Sequence, residues 1–489
     1  MTSTHAIQSG ARHMSTTIRA GSRRLVTSAW QLGATTIVWV SCLVVAMLWV
    51  GGGGVQSLLG LDAESLASLS RITGLVSANL LLLQVLMMAR VPVFERGFGR
   101  SGITRMHRLT GIWSFSLLLA HIGLVALAYA LQDGVTVIAE AWDLLWNYPG
   151  VFFAGIGVAL LVLVMATSAR SARRRLRYES WHLLHLYAYL GVGLAVPHML
   201  LTGNDFVSNP ISAGYWWALW AVAAGCVLIF RVALPYYRSH RHALRVVDVV
   251  AEGTRGVTVR MRGRHLDRLG AQAGQHFVWR FLDGPGWSRG HPFSLSAAPV
   301  SDGMQISARI VGDGTERLAR LRPGTRVLLE GPYGHLTAAA RSAPGLLMLA
   351  AGAGVAPLVA ILEETSFEAG EAVLVTRERT ADELMLRETI GRLVSERGLV
   401  HYALDGRRAA HGPAWLPAQY SEWQGTEMLQ HLAPELAHTG RALLNCDVYL
   451  CGPAQWVAAV RADLLRAGVH RSRIHSEFFT TERAEGARS

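Results

Sequence analysis

The chain has 489 residues, 51% of them hydrophobic, with a formal net charge of +12 and four cysteines. That length allows two or three domains, and the oiliness excludes a wholly water-soluble body. Four cysteines without a CxxC pair exclude a disulfide framework or a thiolate zinc site, and the positive charge sits in loops, which argues against a nucleic-acid surface.

Six apolar segments occupy the first half: Leu32–Val50, Ile72–Ala89, Leu109–Leu131, Val151–Ala166, Leu183–Leu201 and Ser212–Leu234, each close to the ~20 residues that cross a bilayer. Arginine sets the topology. Arg19, Arg23 and Arg24 precede the first segment, Arg90, Arg96, Arg100 and Arg105 follow the second, and Arg170, Arg173, Arg174, Arg175 and Arg177 follow the fourth. The alternate loops are acid-bearing: Gln132–Gly150 carries Asp133, Glu140 and Asp143, and Thr202–Ile211 carries Asp205. By the positive-inside rule this is a multi-pass protein of the plasma (cytoplasmic) membrane with both termini cytoplasmic. The first segment, though preceded by Arg23-Arg24, lacks a convincing cleavage site and reads as a retained helix.

Histidine inside a span is costly and is a functional hypothesis by default. The third span carries His107 and His121, fourteen apart, and the fifth carries His185 and His198, thirteen apart. Both spans run outward, so the four form two pairs at matched depth, about 20 Å apart at ~1.5 Å per residue. Two ligands per site are too few for zinc, and calcium wants oxygen. The two axial positions of a haem fit best, and filling both favours electron transfer over oxygen binding at the iron. The competing His182 breaks the spacing and reads as structural or propionate-facing.

From Arg245 the periodicity becomes alternating. "RVVDVV", "GVTVRMR", "GQHFVWRF", "HPFSLS", "MQISARIV" and "TRVLLEGPYG" predict a small antiparallel β-barrel. From Gly345, strand and helix patterns alternate in "GLLMLAAGAGVAPLVAILEE", "AVLVTRE", "LVHYAL", "DVYLCGP" and "RIHSEFF", predicting a doubly wound α/β domain. An irregular insertion, Asp405–Leu444, is expected to hold a helix near Glu427–Ala437. In "AAGAGVAP" glycines stand where a strand turns into a helix, a pattern compatible with a bound pyrophosphate or with a purely steric turn. "GDGTERLARL" is a second glycine-rich turn, with Thr315 as its cap.

In order, "HPFSLSAAP", "RIVGDGTERL", "GPYG", "AGAGVAP" and "VYLCGP" resemble the ferredoxin-NADP reductase type of flavoprotein. With the six spans and the two histidine pairs, the chain resembles the NADPH oxidase and ferric reductase superfamily of transmembrane flavocytochromes from Leu32 to Phe479. That resemblance implies a cytoplasmic N-terminal segment at 1–30, a six-helix transmembrane di-haem domain at 31–235, an FAD-binding β-barrel domain at 241–340 and an NAD(P)H-binding α/β domain at 345–489. It implies two haem b groups on His107, His121, His185 and His198. FAD would be held by His291, Pro292, Phe293 and Ser294, with Gly314 and Thr315 at its pyrophosphate. The dinucleotide, NADPH in preference to NADH, would lie on Gly352, Gly354 and Val355, with Arg377 at the 2′-phosphate or, alternatively, merely solvated.

Cys451, Gly452 and Pro453 would flank the nicotinamide, and Phe479 would shield the flavin, although ten residues follow it where several relatives end at the aromatic. Arg71 resembles the arginine that NADPH oxidases place by the outer haem; an interfacial anchor or propionate partner is the equal alternative. The implied function is a transmembrane oxidoreductase passing electrons from cytoplasmic NAD(P)H through FAD and two haems to Fe(III) or O2 outside. A ferric-reductase-like outlet is preferred to a superoxide-producing one. NADPH oxidases commonly place another histidine four residues beyond the outer ligand of the third span, and Val125 stands there. A nucleotide-binding membrane sensor without electron transfer is the third reading. Protein partners are unspecified by the sequence.

Overall fold

The computed structural model describes residues 29–60, 62–176, 178–207, 209–409, 411–434 and 442–479. Arg19, Arg23, Arg24, Arg177, the end of the insertion at 435–441 and the ten residues after Phe479 lie outside them, as do the side chains of Arg96, Arg100, Arg170 and Arg174. The chain divides into two compact units, one ending at Ala233 and one starting at Leu234.

Six helices, each starting in the first unit, are long and apolar enough to cross a membrane: Ala29–Gly51, Ala63–Met88, Gly102–Asp133, Val151–Ser168, Ser180–Thr202 and Pro210–His242, the last of which continues past Ala233. Their outward residues are large and apolar, among them Trp39, Leu43, Trp113, Leu183 and Leu228, as a lipid-facing surface requires. The second span opens with a capping box, Asp62 accepting from the Ser65 backbone N–H while the Ser65 side chain accepts from the Asp62 N–H. It is the unit's inner pillar. Leu82, Leu83, Leu86 and Met87 bury against Phe94, Ile103 and Trp216. Deeper polar groups are satisfied across helices: Ser41 donates to Asn79 at 2.6 Å and Tyr215 donates to the same oxygen at 3.0 Å.

The fifth span is not the uniform helix that its spacing predicts. It consists of Tyr178–Leu194 and Val196–Thr202, with Ala195 between and Pro197 in the first turn of the second piece. Proline has no N–H for the carbonyl four residues back, so the helical ladder breaks there. The fourth and fifth spans touch backbone to backbone, because a Cβ on Gly157 would stand 2.5 Å from the Gly191 carbonyl oxygen and one on Gly191 would stand 2.9 Å from that of Gly157.

In the second unit all eleven anticipated strands form: β1 Arg245–Glu252, β2 Gly256–Arg262, β3 His276–Phe281, β4 His291–Ser294, β5 Gly303–Arg309, β6 Val327–Tyr333, β7 Gly345–Ala351, β8 Ala372–Glu378, β9 Val400–Asp405, β10 Cys446–Pro453 and β11 Ile474–Phe479. The anticipated barrel takes the form of two antiparallel three-stranded sheets, β1-β2-β5 and β4-β3-β6, around one apolar core that includes Phe277, Trp279, Leu295 and Ile306. Among the described residues no ladder closes around them. β4 is only four residues long, and the sheets meet at single bridges, Leu295 with Ile306 and Arg245 with Arg326.

Strands β7 to β11 make one parallel sheet in the order β11-β10-β7-β8-β9. Helices Val355–Glu364 and Arg387–Arg397 contribute to the core on one face, and Gly425–His431 and Ala454–Arg466 to a second core. The strand order reverses beside β7, so the carboxyl ends of β7 and β10 frame a switch point. The insertion's helix is Gly425–His431, displaced toward the N-terminus from the expected Glu427–Ala437, because Gln424 and Glu427 form its capping box.

Arg309 at the end of β5 ties an antiparallel sheet to the parallel one, donating to Glu378 at 2.6 Å and Glu383 at 3.1 Å. Burial raises the Glu378 carboxyl to about 7 against the opposing pull of Arg309.

Two expectations follow. Gly191→Leu should force the fourth and fifth spans apart and cost about 1–3 kcal/mol, lowering the thermal midpoint of the purified protein. Gly214→Ala, at a position with open space around it, should leave the midpoint unchanged or slightly raised. An equal loss in both would refute the close packing. For Glu378 the folded value lies above the ordinary 4.5, so the folded state holds the extra proton and stability falls as pH rises from about 4.5 to about 7. The fall amounts to at most about 3 kcal/mol. Glu378→Gln, which cannot titrate, should lack that slope in pH-resolved thermal unfolding, and an unchanged slope would contradict it.

Candidate functional site

In the helical unit the structure brings His107 and His185 together, with ring centroids 6.0 Å apart and planes at 70°. Behind His185, Ser168 Oγ lies 3.2 Å from its Nδ1, and the Trp181 ring lies 5.1 Å away, tilted at 30°, while donating to the same hydroxyl. The Arg173 guanidinium covers Trp181 at 4.4 Å. His107 Nδ1 is buried without a hydrogen-bond partner among the described residues. His182 stays outside this pair, its ring 6.4 Å from Trp181.

Of the second pair, His121 is held by the second span and His198 by its own helix. The Ser70 carbonyl lies 2.8 Å from His121 Nδ1. A carbonyl can only accept, so Nδ1 carries the proton and the Nε2 lone pair is left for a ligand. Thr202 Oγ1 donates to the His198 carbonyl at 2.8 Å and lies 2.8 Å from His198 Nδ1, so the hydroxyl accepts there and His198 takes the same tautomer. Gly74 makes room for the His121 ring, since a Cβ there would stand 2.7 Å from Nδ1. Gly150 leaves space for the backbone at His198. Among the described residues no group of three or more His, Cys, Asp or Glu is arranged to hold a metal ion.

Arg71, adjacent to Ser70, is committed: Nε and Nη2 donate to the two Asp205 oxygens at 2.8 and 3.0 Å, and Nη1 donates to the Gly52 carbonyl at 3.1 Å.

In the second unit a cleft is lined by Phe281, Gly286, Trp287, Arg289, His291, Gly314, Arg317 and Leu318. His291 and Phe293 stack along β4 with centroids 6.1 Å apart, and Gly314 sits against the His291 ring, where a Cβ would come within 2.8 Å. Burial, and then the Arg317 and Arg289 cations, hold the His291 imidazole below its ordinary pKa, so it is neutral at pH 7. Pro292 pairs with Val278 on β3, and Ser294 is buried at the strand end. Thr315 Oγ1 accepts from the Val311 and Gly312 N–H groups at 2.9 and 3.2 Å, shaping the glycine turn. Arg317 is held by Asp283. The half-exposed Trp287 and the two arginines were not singled out from the sequence. The signal was the run "GPGWSRGHP", whose glycines raise an aromatic and a cation just before β4.

At the switch point, Gly352 takes a positive φ of 56° and Gly354 packs onto the Cys451 carbonyl so closely that any Cβ would collide. Val355 then opens the helix. Gly452 and Pro453 pair with Phe478 and Phe479 on β11, which places the aromatic end of the chain beside the Cys451–Pro453 turn. Burial, reinforced by Glu477, keeps Cys451 a protonated thiol. Glu477 reaches across to His276 of β3, 3.2 Å away. Arg377 stands at the carboxyl end of β8 opposite Ala351, donating to the Glu378 and Leu404 carbonyls.

Comparison with known proteins agrees with this division. Residues 73–196 match the family of the ferric reductase like transmembrane component. NADPH oxidase 3 of Rattus norvegicus is 23% identical over 45% of this chain and 44% of its own length. The ferredoxin–NAD(+) reductase component of the alkene monooxygenase system of Xanthobacter autotrophicus is 30% identical over 40% of this chain and 56% of its own. The haem-binding subunit MsrQ of the protein-methionine-sulfoxide reductase of Brucella ovis is 26% identical over 38% of this chain and 76% of its own. The chain thus spans about half the length of the first two relatives. This is a multi-pass membrane protein whose residues 73–196 match the ferric reductase like transmembrane component, and the relatives it matches include an NADPH oxidase and a ferredoxin–NAD(+) reductase component.

Proposed function

We propose that the chain moves electrons from cytoplasmic NAD(P)H, through FAD and two bis-histidine haems, to a small acceptor on the outer face of the plasma membrane. The observation that carries this reading is the His107–His185 pair, 6.0 Å apart between apolar spans. A separation of that size would leave room for one metal ion between the two imidazoles, which His107 and His185 would hold. The donor set fits as well. His121 and His198, with their Nδ1 protons engaged, would present Nε2 to a metal, and imidazole pairs of this kind would suit a haem iron. The bound groups would supply the redox chemistry, converting a hydride donor into single-electron transfers.

The residues of this chain bind, orient and exclude water. His107 and His185 would hold the inner haem, His121 and His198 the outer. His291, Pro292, Phe293, Ser294, Gly314 and Thr315 would hold FAD, joined by Trp287, Arg289 and Arg317 on the same cleft. Gly352, Gly354 and Val355 would take the dinucleotide's pyrophosphate, with Arg377 selecting NADPH over NADH. Cys451, Gly452, Pro453 and Phe479 would enclose the nicotinamide–flavin contact, with Cys451 as a neutral wall. The corresponding regions are 31–235 for haem, 241–340 for FAD and 345–489 for NAD(P)H. Both termini would be cytoplasmic, a reading supported by Arg90, Arg105, Arg173 and Arg175 on one side and by Asp133, Asp143 and Asp205 on the other.

A ferric-reductase-like outlet, with Fe(III) as acceptor, is favoured over superoxide production. Arg71 is bound to Asp205 and offers no free cation, and Val125 replaces a further histidine.

The test is anaerobic stopped-flow reduction by NADPH of the full-length protein supplied with FAD. Both haem bands should reduce in the wild type. His107→Ala and His185→Ala should leave flavin reduction intact and stop outer-haem reduction; if the outer haem still reduces at the wild-type rate, the relay order is refuted. Arg377→Ala should raise KM for NADPH roughly tenfold and leave that for NADH unchanged. An equal rise for both would remove Arg377 from the 2′-phosphate.

A further inference from the structure

We propose that the Arg71–Asp205 ion pair is a latch that positions the outer histidine pair, and is not a cation presented to the electron acceptor. The inference rests on the haem reading above.

Two consecutive residues of the second span reach both outer imidazoles. Ser70 holds His121 directly, through its carbonyl at 2.8 Å, and its hydroxyl donates to the His121 carbonyl at 3.0 Å. Arg71 reaches the opposite ligand by relay. Its guanidinium grips Asp205 with two bonds, at 2.8 and 3.0 Å. Asp205 lies three residues past Thr202, whose hydroxyl holds His198. Between them the chain is short and bonded: the Gly203 N–H donates to the Met199 carbonyl at 3.2 Å, and the Phe206 N–H to the Gly203 carbonyl at 2.9 Å. Arg71 also donates to Gly52, in the link from the first span to the second. Gly52 must be glycine for this approach, because any Cβ there would collide with Nη2.

The carboxylate is the buried member, with its side chain 6% exposed against 23% for Arg71. Ser212, at the start of the sixth span, lies 3.5 Å from Asp205 Oδ1. One ion pair therefore fastens the first-to-second link and the fifth-to-sixth link to the second span, which itself carries the His121 partner. A bidentate pair fixes orientation as well as distance, which a single point charge does not. The carboxylate also cancels the arginine's charge locally, so little remains to attract an anionic chelate or to stabilise a reduced acceptor. Arg71 is a positioning residue.

The experiment uses haem-loaded, full-length protein reduced with dithionite and exposed to carbon monoxide, which binds a haem that has lost one axial histidine. Wild type should be unreactive at both haems. In Arg71→Ala and Asp205→Asn, roughly half of the haem, that of the outer site, should become reactive, and in the oxidised proteins the outer low-spin EPR signal should be lost while the inner one stays. The exchanged pair, Arg71→Asp with Asp205→Arg, should restore wild-type spectra. If Arg71→Ala fails to accumulate, Arg71→Lys keeps the charge and loses the fork, and intermediate reactivity is expected. Haem-replete variants that remain inert, Arg71→Lys included, would overturn the latch. So would an exchanged pair with intact spectra and a raised KM for ferric chelate, the signature of an arginine that serves the acceptor. Wild-type protein without haem would instead refute the reading on which the latch rests.

Discussion

An imidazole held in hydrocarbon has two ring nitrogens to satisfy, and water is not there to help. For three of the four histidines this structure meets the first need with neighbours from the chain itself, the Ser70 carbonyl for His121, Thr202 for His198 and Ser168 for His185, whereas His107 Nδ1 has no partner among the described residues. The second need, a partner for the freed lone pair, is what a porphyrin iron would meet. The rest of the helical unit follows from that constraint. The second span must run against the third for Ser70 to reach His121. The fourth and fifth must approach through Gly157 and Gly191, and Gly74 and Gly150 must stay small beside the rings and backbone they admit.

The six spans were legible because their length and oiliness are set by the bilayer, and the histidine pairs were legible because helical rise converts spacing into depth. The break at Ala195 was only half visible. "VPH" shows the proline, but whether a helix bends or ends there depends on what its neighbours offer the freed carbonyl. Arg71's partner was not visible at all. Arg71 and Asp205 are 134 residues apart, and nothing local to either residue joins them. The same holds for Arg309, whose strand pattern marks it as outward-facing while only the tertiary fold brings Glu378 and Glu383 to it. His107 and His185 could be matched from number alone; their 6.0 Å separation could not.

In the second unit the six antiparallel strands were legible from alternation, and the five parallel ones from the strand–helix rhythm. Closure of the antiparallel strands was not, because it depends on edge registers at β4 and β1 that no local pattern encodes. The glycine turns illustrate how local and distant causes combine. Gly352 needs its positive φ for the turn itself, whereas Gly354 is required by the Cys451 carbonyl, which arrives almost one hundred residues later. Strand β11 then returns Phe479 beside Pro453, so the residues proposed to enclose one reaction centre come from two separate stretches of chain.

The account stands on four imidazoles serving two iron porphyrins, and the most direct measurement is the haem content per polypeptide of purified full-length protein, by pyridine haemochrome assay against amino-acid analysis. The account predicts two haems per chain, falling to one in His121→Ala and to one in His185→Ala. A folded wild-type protein with none, or a content that neither substitution lowers, would contradict it.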